Sequence, residues 1–509
     1  MNKHEFLTVT RTQWAVGQGF FHSGALYAGG KPFIYVFDCG AKGNTKANSD
    51  TTKHRIQTEI HEFTESLKGY WFPRYNPYWK HWQDVHYPPQ ELYDPGAIFI
   101  GTPFKDEQIL FSKKQKSTKP SVDIVYISHF DDDHINGLCH LLDKTSIKEI
   151  SIPYASAAKR FIDLLSSISD EDGTLQTTAM RNIGDFTLQF IANPTIALAN
   201  RSADTTLREV GNRDRDSVTY IHPTHNSQTD GYDLNPDPFQ VASTKPLWTL
   251  FTHSLKGDSH NIEHSFKKAL IEEIRKIQEQ DDPNSNPIET IITITREDSS
   301  NNTSLDEEFL DQIDFSNYET LRLLLNRKYL GAIKKAYRRA LNKGASLNIT
   351  SLILYSGPPL SPYNFKTCHT YWRGDKTLNN DRPGSYRVNT SFVSPPCGWI
   401  GCGDAPIGQN PQYLTEFNRV FETFKTETRT FAPPHHGSES DWSDKLLDGF
   451  GFEGNEAPIC VFSANSLQFS HPSTKAILSA NSIGSPTIVV TNDARSRFTE
   501  TIEIITQFD

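Results

Sequence analysis

The sequence contains no apolar run of about 18 or more residues, the length that a membrane-spanning helix needs. Its first residues, MNKHEF, also lack the positively charged region and following apolar stretch that are typical of a secretory leader. We therefore expect a soluble, unexported protein that works in the cytoplasm and makes no contact with a membrane.

Cysteine is scarce. Six cysteines occur among 509 residues, at positions 39, 139, 368, 397, 402 and 460, and no two have the Cys-x-x-Cys spacing of many metal and redox sites. Most lie in apolar stretches, so we expect reduced, buried thiols, the usual environment of free cysteine. The alternative is that Cys397 and Cys402, which are near Asp404, contact a metal.

The chain also has no excess of positive charge. Its formal net charge of -10 argues against a protein whose whole surface follows nucleic acid, but it allows a local basic patch. A length of 509 residues permits two or three domains, or one domain with large insertions. An apolar content of 36% with 22% charged residues is ordinary for a globular protein.

Strand-like runs and helical periodicity alternate along much of the chain. Short apolar runs predict strands at 6–10, 24–27, 33–37, 122–127, 147–152, 186–191, 247–251 and 351–355. Helical spacing predicts helices at 138–142, 157–166, 266–280 and 318–341. This alternation predicts a layered α/β fold.

Two segments interrupt the alternation and are interpreted as insertions. Residues 49–118 are rich in aromatic side chains, and residues 254–344 have long helical periodicity and include a basic helix. The remaining residues, 1–48, 119–253 and 345–509, would form one discontinuous core. The aromatic insertion either stacks bases at the mouth of a site or forms a small satellite core or a partner-binding surface.

Histidine and aspartate are densest immediately after the predicted strand at 122–127. Residues 128–134 are Ser-His-Phe-Asp-Asp-Asp-His, so imidazoles and carboxylates are concentrated where a buried strand ends. Carboxylate oxygen and imidazole nitrogen are ligands for zinc, manganese and iron. The alternative is a solvated loop whose aspartates cap the following helix.

Five further motifs accompany this cluster in a fixed order. They are Val-Gly-Gln-Gly at 16–19 with Asp-Cys-Gly at 38–40, Asn-x-x-Ser-Leu at 348–352, Gly-Cys-Gly-Asp at 401–404, His-His-Gly-Ser at 435–438 and Ser-His-Pro at 470–472. Taken together, the motifs resemble the metallo-β-lactamase superfamily, and within it the hydrolase domain of ComEC-type competence proteins. The resemblance covers about half of the chain and implies an αββα sandwich, here with two large insertions.

The resemblance also implies roles for individual residues. It implies two divalent ions, zinc or manganese, held by His129, Asp131, Asp133, His134, Asp404 as the bridging carboxylate, and His435. His436 and His471 would support the ligands or transfer protons beside Asp133 in catalysis, and Asp38 would be a supporting carboxylate.

One metal position lacks an obvious ligand. Asp131 replaces the second histidine of the superfamily's usual motif, a substitution that the ComEC-type branch shares, and no counterpart of a third histidine at the first metal is evident. His222, His225 and His253 lie between the early and late motifs, but core or surface positions are the more ordinary interpretation for each. His471 is the other candidate.

The two ions that the resemblance implies would share a carboxylate and a water. Such a pair makes hydroxide available near neutral pH, so we expect the reaction to be a hydrolysis. We expect a phosphodiesterase or nuclease acting on nucleic acid or a nucleotide. One alternative is a hydrolase of a small ester, lactone or thioester. Another is a component of a bacterial defence-type assembly that binds a protein partner through the insertions.

The basic helix bears on the substrate. Lys334, Lys335, Arg338 and Arg339 lie in a stretch without acidic residues and are predicted to contact a phosphate backbone. The competing interpretation is a solvated amphipathic helix whose apolar side chains face the core.

Overall fold

The structure is a computed structural model that describes most of the three predicted core segments and parts of both insertions. The described residues are 4–27, 32–42, 49–67, 119–168, 175, 180, 183–211, 216–223, 232–233, 246, 248–255, 260–281, 313–341, 347–359, 365–373, 386–388, 396–450, 457–465 and 470–507.

The described strands form two mixed sheets. In chain order they are β1 (His4–Gln13), β2 (Phe21–Tyr27), β3 (Phe33–Cys39), β4 (Ser121–Tyr126), β5 (Ser146–Pro153), β6 (Thr206–Val210), β7 (Asp216–Pro223), β8 (Tyr232–Asp233), β9 (Trp248–Ser254), β10 (Leu352–Gly357), β11 (Phe365–Arg373), β12 (Tyr386–Val388), β13 (Gly398–Gly401), β14 (Thr428–Ala432), β15 (Ile459–Ser463), β16 (Thr487–Val490) and β17 (Phe498–Gln507). The first sheet has the order β12-β11-β17-β1-β2-β3-β4-β5-β6, and the second has the order β16-β15-β14-β13-β10-β9-β7-β8.

Each sheet contains a block of parallel strands beside an antiparallel block. Strands β3 to β6 are parallel in the first sheet, and β13 to β16 are parallel in the second. The carboxyl ends of neighbouring parallel strands lie at one edge of a sheet, so loops that follow β3 and β4, or β13 and β14, are brought together.

The described helices are α1 (Ser49–Glu65), α2 (Asp132–Ile135), α3 (Leu138–Lys144), α4 (Ala157–Ser167), α5 (Asp185–Ala192), α6 (Pro194–Ala199), α7 (His260–Asp281), α8 (Tyr318–Leu324), α9 (Leu330–Leu341), α10 (Pro411–Thr426) and α11 (Thr474–Ser482). Among these residues, no helix is both long enough and apolar enough to span a bilayer.

Two of the predicted elements differ from the structure. The strand predicted at 186–191 is wrong, because these residues belong to α5, where the rings of Phe186 and Phe190 stack one helical turn apart. A short apolar run is compatible with either a buried strand or a buried helix. The helix predicted at 318–341 is divided into α8 and α9 by a turn in which Tyr329 N donates to Asn326 O at 3.0 Å.

Successive side chains of a strand point to opposite faces of its sheet, and the cores that they enter divide the structure into four layers. On β3, Phe33 and Tyr35 belong to a core between the two sheets, whereas Ile34 and Val36 belong to a core beneath helices. Side chains of the second sheet, such as Trp399, enter the same central core. A third core lies between the other face of the second sheet and α10 and α11. The layers are therefore helix, sheet, sheet and helix, and the predicted α/β class is confirmed.

Described parts of both predicted insertions pack on the main helical core. From α1, Phe63 makes edge contacts with Trp14 and Phe21 at ring distances of 5.9 and 5.7 Å. Phe266 of α7 and Ile333 of α9 belong to the same core cluster. The aromatic-rich stretch at 71–93 lies outside the described residues, and the boundaries of the insertions stay predictions.

Candidate metal centre

The acidic and histidine side chains identified in the sequence meet at one end of the sheet pair. Asp38 is the penultimate residue of β3, and residues 128–134 follow β4 in the same sheet. In the second sheet, Asp404 follows β13 and residues 435–436 follow β14. The site is thus built from the carboxyl ends of parallel strands in both sheets.

Asp38 is fully buried and accepts three hydrogen bonds. Ser128 donates to its carboxylate from the backbone N–H at 2.6 Å and from the hydroxyl at 2.6 Å, and His134 Nδ1 donates at 2.8 Å. Because an ionised carboxylate only accepts, His134 carries a proton on Nδ1. Loss of its other proton leaves the lone pair on Nε2, the atom that faces Asp404.

The hydroxyl of Ser128 orients a second imidazole, that of His129, in the same way. Its single proton is donated to Asp38, so it accepts in its 2.8 Å contact with His129 Nδ1. His129 therefore also presents Nε2 to the carboxylates of the site. Carboxylate and hydroxyl groups behind histidines typically fix metal-ligating imidazoles in this way.

Asp404 lies between two sets of imidazoles. Its Oδ2 is 3.5 Å from His129 Nε2 and 3.8 Å from His435 Nε2. Its Oδ1 is 3.3 Å from His134 Nε2 and 3.9 Å from His436 Nε2. Each carboxylate oxygen thus faces a different pair of ring nitrogens.

Two more aspartates extend these sets. Asp131 Oδ2 is 3.5 Å from His129 Nε2, and Asp133 Oδ2 is 3.9 Å from His436 Nε2. Ligand atoms within 4.8 Å of one another form two groups among the described residues: His129, His134 and Asp404, and Asp133, His134 and His436. These buried groups could hold a metal ion.

A left-handed turn separates the two late histidines. His435 and His436 have φ angles of 45° and 55°, and Gly437 follows with 80°. Non-glycine residues in this region cost roughly 1–3 kcal/mol each and are concentrated at functional sites. The two rings are 6.1 Å apart and face opposite oxygens of Asp404. The sequence motif predicted His435 as a ligand and His436 as a supporting residue, whereas the structure places His436 in the group with Asp133 and His134.

Asp441 is a residue of this site that the sequence analysis missed. His435 Nδ1 donates to Asp441 Oδ2 at 2.9 Å, so His435 is oriented by a carboxylate as His134 is by Asp38. Ser440 and Gln409 donate to the same carboxylate at 2.7 and 2.8 Å. The only signal in the sequence was an aspartate six residues after His435, a spacing that has no regular structural meaning.

Several buried polar atoms that face the centre of the site make no hydrogen bond to any described residue. They are His129 Nε2, His134 Nε2, Asp404 Oδ1 and His436 Nε2. Leaving a buried polar group unpaired costs about 1–3 kcal/mol. Four such atoms that converge on one another fit coordination of a cation, since all are metal-ligand atoms.

The surroundings raise the pKa of two imidazoles of the site, those of His129 and His435. Burial and the charge of His134 disfavour protonation of His129, but Asp131 and Asp404 outweigh them and raise its pKa to about 10. Burial also opposes protonation of His435, whereas Asp404 and Asp441 raise its pKa to about 9. The carboxylates of the site thus favour positive charge beside them, and in the metal-free protein a proton on each of these imidazoles supplies it.

His436 and His471 are held neutral instead. Burial lowers the pKa of His436 to about 3, and burial together with the charge of His435 lowers the pKa of His471 to about 4. The ring of His471 is 5.4 Å from that of His435, whose side chain is 35% exposed. His471 is itself partly exposed and thus lies beside the most exposed imidazole of the site.

The other histidines and cysteines considered as ligands have different positions. His253 Nε2 pairs with Glu416 at 3.2 Å, outside the metal groups. The side chain of His222 and the whole of His225 lie outside the described residues. Cys397 and Cys402 are buried free thiols and belong to neither metal group found among the described residues, consistent with packing.

The predicted nucleic-acid contacts lie along α9. Lys335 pairs with Glu273 of α7 at 2.8 Å, and Arg339 pairs with Glu272 at 2.8 Å and with Glu273 at 3.2 Å. Lys334 is partly exposed and Arg338 is exposed on the same helix. Acidic residues on the adjacent helix therefore offset part of the positive charge that the sequence predicted for α9.

No protein-family model matches this chain, and no curated protein matches it significantly.

Proposed function

We propose that this protein is a metal-dependent hydrolase of the metallo-β-lactamase superfamily, of the ComEC type, and that it cleaves phosphodiester bonds, most simply as a nuclease. The observation that carries the proposal is the position of Asp404 between two sets of imidazole nitrogens, all of them buried except that of His435. The ordered motifs and the four layers support the same superfamily.

The distances support a proposal of two metal positions. One would use His129, Asp131, Asp404 Oδ2 and His435, and the other would use Asp133, His134, Asp404 Oδ1 and His436. In this arrangement His435 occupies the position for which the sequence offered no third histidine. Histidine and carboxylate ligands suit zinc or manganese.

Two divalent ions would supply positive charge to a substrate oxygen and lower the pKa of bound water, and they favour phosphodiesters because attacking and leaving oxygens can both be stabilised. The chain's own residues do the positioning. Asp38, Ser128 and Asp441 fix the imidazoles, so their nitrogens need little rearrangement. His471, whose ring is 5.4 Å from that of His435, offers a neutral imidazole that can accept a hydrogen bond from water or substrate.

The proposal is tested by supplying purified protein and Mn²⁺ or Zn²⁺ with labelled single- and double-stranded DNA, labelled RNA and bis(p-nitrophenyl) phosphate. We expect cleavage of at least one of these, abolished in Asp404→Ala and retained in His253→Ala, whose side chain is outside the metal groups. Absence of turnover on all of them would reject the phosphodiesterase assignment. Cleavage of p-nitrophenyl acetate alone would instead favour the small-ester hydrolase.

A further inference from the structure

A buried carboxylate at the junction of α7 and α9 is surrounded by three cations. Glu273 lies on α7, and its side chain is only 4% exposed. Its Oε1 accepts from Lys276 of the same helix at 2.7 Å and from Arg339 of α9 at 3.2 Å. Its Oε2 accepts from Lys335 of α9 at 2.8 Å. The three cationic groups are therefore held around one point.

The three cationic side chains reach solvent although their partner does not. Those of Lys276, Lys335 and Arg339 are 54%, 65% and 46% exposed. An ammonium group has three N–H donors and a guanidinium group has five, and the contacts with Glu272 and Glu273 occupy only some of them. Donors of each cation therefore remain available to a molecule in solvent.

A second carboxylate and a fourth cation extend this arrangement along α7. Glu272, whose side chain is 44% exposed, accepts from Arg339 at 2.8 Å. Lys268 is exposed one helical turn before Glu272, on the same face of the helix, and forms no ion pair with another described residue. Four cations thus lie beside two carboxylates, and we call them the α7–α9 cationic group: Lys268, Lys276, Lys335 and Arg339.

Packing of the two helices does not by itself require so many cations. Apolar side chains of both helices, among them Phe266 and Ile333, are buried in the main helical core. One cation neutralises a buried carboxylate, and further ion pairs with exposed partners add little stability because solvent screens them. Hydrogen bonds from Lys276 and Lys335 lower the pKa of Glu273 to about 2, so this carboxylate stays ionised and holds the cations in place near neutral pH.

The surroundings of the group favour a polyanion over an apolar protein surface. None of the large hydrophobic side chains that are exposed among the described residues lies on α7 or α9. Protein interfaces have an apolar centre, whereas interfaces with nucleic acid are more polar and much more positively charged. A chain of phosphates can contact several of these cations at once.

We infer that the α7–α9 cationic group binds the phosphate backbone of a nucleic acid. The inference rests on the proposed phosphodiesterase and names nucleic acid as its substrate class. Cations that are already held by a carboxylate lose little conformational freedom when a phosphate binds. A guanidinium such as that of Arg339 can also donate two parallel hydrogen bonds to one phosphate.

The experiment measures binding by fluorescence anisotropy as a function of salt. Full-length protein in EDTA, which prevents metal-dependent cleavage and binding through the metal centre, is titrated with labelled single-stranded DNA, double-stranded DNA, RNA and poly-L-glutamate. One variant is Lys268→Gln, which breaks no ion pair with a described residue. The other is the double variant Lys276→Gln with Lys335→Gln. Circular dichroism and thermal unfolding are recorded for each protein.

The matched control is the double variant Lys144→Gln with Lys475→Gln, which makes the same change of charge at exposed positions of α3 and α11. We expect wild type to bind at least one nucleic acid, with an affinity that falls as salt increases because counterions are released. Lys268→Gln should reduce the slope of log affinity against log salt by about one. The Lys276 and Lys335 double variant should reduce it by about two and weaken binding roughly tenfold or more at low salt. The control should retain the affinity and slope of wild type.

Failure of wild type to bind any of the nucleic acids would overturn the inference, and so would wild-type affinity and slope in both variants. An equal loss in the control would also overturn it, since binding would then depend on net charge alone. Preferential binding of poly-L-glutamate, lost in the double variant, would replace nucleic acid by an acidic protein partner. If the double variant does not fold, Lys268→Gln alone decides.

The outcomes for binding and for activity are separable. Cleavage of bis(p-nitrophenyl) phosphate by a protein that binds no nucleic acid would retain the proposed hydrolase and overturn the inference. Nucleic-acid binding that depends on the α7–α9 cationic group, in a protein that cleaves no phosphodiester, would uphold the binding surface and reject the proposed activity.

Discussion

At the scale of single residues, the candidate metal centre depends on which nitrogen of each histidine carries a proton. Asp38 and Asp441 each accept from an Nδ1, at 2.8 and 2.9 Å, and leave the corresponding Nε2 for coordination. Neither carboxylate reaches the proposed metal positions in the described contacts. Their contribution is orientation, which makes it separable from ligation by mutation.

Replacing Asp38 or Asp441 by asparagine is expected to weaken metal binding by roughly 10- to 100-fold without eliminating it. An amide offers one acceptor oxygen and forces an NH₂ group against donors such as Ser128 and His134. Titration calorimetry with Zn²⁺ or Mn²⁺ measures the change. Asp441→Asn should affect the ion nearer His435 and Asp38→Asn the ion nearer His134. Unchanged affinity in both variants would contradict the orienting role.

The division of the late histidines predicts metal stoichiometry. If His435 and His436 serve different ions, either alanine variant should bind one ion tightly where wild type binds two, since each set then lacks one ligand. Asp404→Ala should lose tight binding of both. Elemental analysis after dialysis gives the ratio, with His253→Ala as the control that keeps two. Two tightly bound ions in His436→Ala would restrict that residue to a supporting role.

The raised pKa values of His129 and His435 predict that metal binding releases protons. In the metal-free protein, burial opposes protonation, but carboxylates raise the pKa of His129 to about 10 and that of His435 to about 9. Both are therefore protonated at pH 7 and must lose a proton to coordinate. Metal affinity should increase with pH between 7 and 9, and proton release should decline as pH approaches 10. Calorimetry in buffers of different ionisation enthalpy measures the released protons.

The same shifts determine the stability of the metal-free protein. A histidine with a raised folded pKa stabilises the fold fully below its unfolded value of about 6.5, and this contribution disappears as pH rises through the folded value. The metal-free protein should therefore lose stability between pH 7 and 10, whereas the loaded protein should not.

The prediction of proton release has its own contradicting outcome. A metal-binding enthalpy that does not depend on the buffer at pH 7 would show that His129 and His435 are already neutral before the metal binds.

At the scale of elements, the segments that support the site pack closely where a glycine has no side chain. Gly40 allows the segment after β3 to pass against Asp133, with only 2.3 Å between a hypothetical Cβ and the Asp133 carbonyl carbon. Gly331, in α9, has nothing within 4 Å of such a Cβ and is exposed. Gly40→Ala should thus lower the melting temperature and weaken metal binding. Gly331→Ala should stabilise by about 0.5–1 kcal/mol because alanine is the better helix former. Thermal unfolding of both variants, with metal titration, compares them. A Gly40→Ala variant as stable as wild type would mean that the contact relaxes easily.

The elements also show how far the sequence could predict this molecule. The strand before Ser128 and the cluster that follows it were predictable, because a buried strand and a dense set of ligand side chains both leave local patterns. Helix α5 was not, since its apolar run is compatible with either element. The pairing of Lys335 with Glu273 joins residues far apart in sequence, and no local pattern encodes it.

The position of the late histidines was beyond prediction for a different reason. Whether His435 or His436 faces Asp133 depends on the left-handed backbone of the turn, with φ angles of 45° and 55°. The adjacent pair in the sequence is compatible with either choice. Asp441 was missed because its role depends on the same turn, which returns the chain to His435.

At the scale of the whole molecule, the site requires two sheets to keep a constant relative position, because its ligands come from both. Arg11 of β1 connects them within the interior. Its side chain pairs with Glu500 at 2.8 Å and donates to Ser356 O at 3.1 Å and Cys397 O at 2.7 Å. Thr430 of the second sheet donates to Glu500 at 3.0 Å. This buried charged pair therefore bridges the sheets rather than lying within one.

Removing one partner should be costly. Arg11→Met leaves Glu500 buried without its cation, and breaking a buried pair in this way typically costs about 3–5 kcal/mol. Burial already raises the pKa of Glu500, with Arg11 acting against it. Without Arg11 the pKa should rise further, so the loss of stability should be larger at pH 8 than at pH 5, where the carboxyl can take up a proton. Urea unfolding at the two pH values measures it.

The matched control is Arg201→Met, which removes an ion pair with Asp143 in which both side chains are exposed, 37% and 48%. Such a pair contributes roughly 0–1 kcal/mol, with little dependence on pH between 5 and 8.

Replacing both charges, in the double variant Arg11→Met with Glu500→Leu, should recover much of the stability, because an apolar pair is not penalised by burial. Metal affinity of this double variant then separates two roles. If it folds stably but binds metal weakly, the charged pair sets the relative position of the sheets; if it binds as wild type does, packing of the central core alone holds the two halves of the site together.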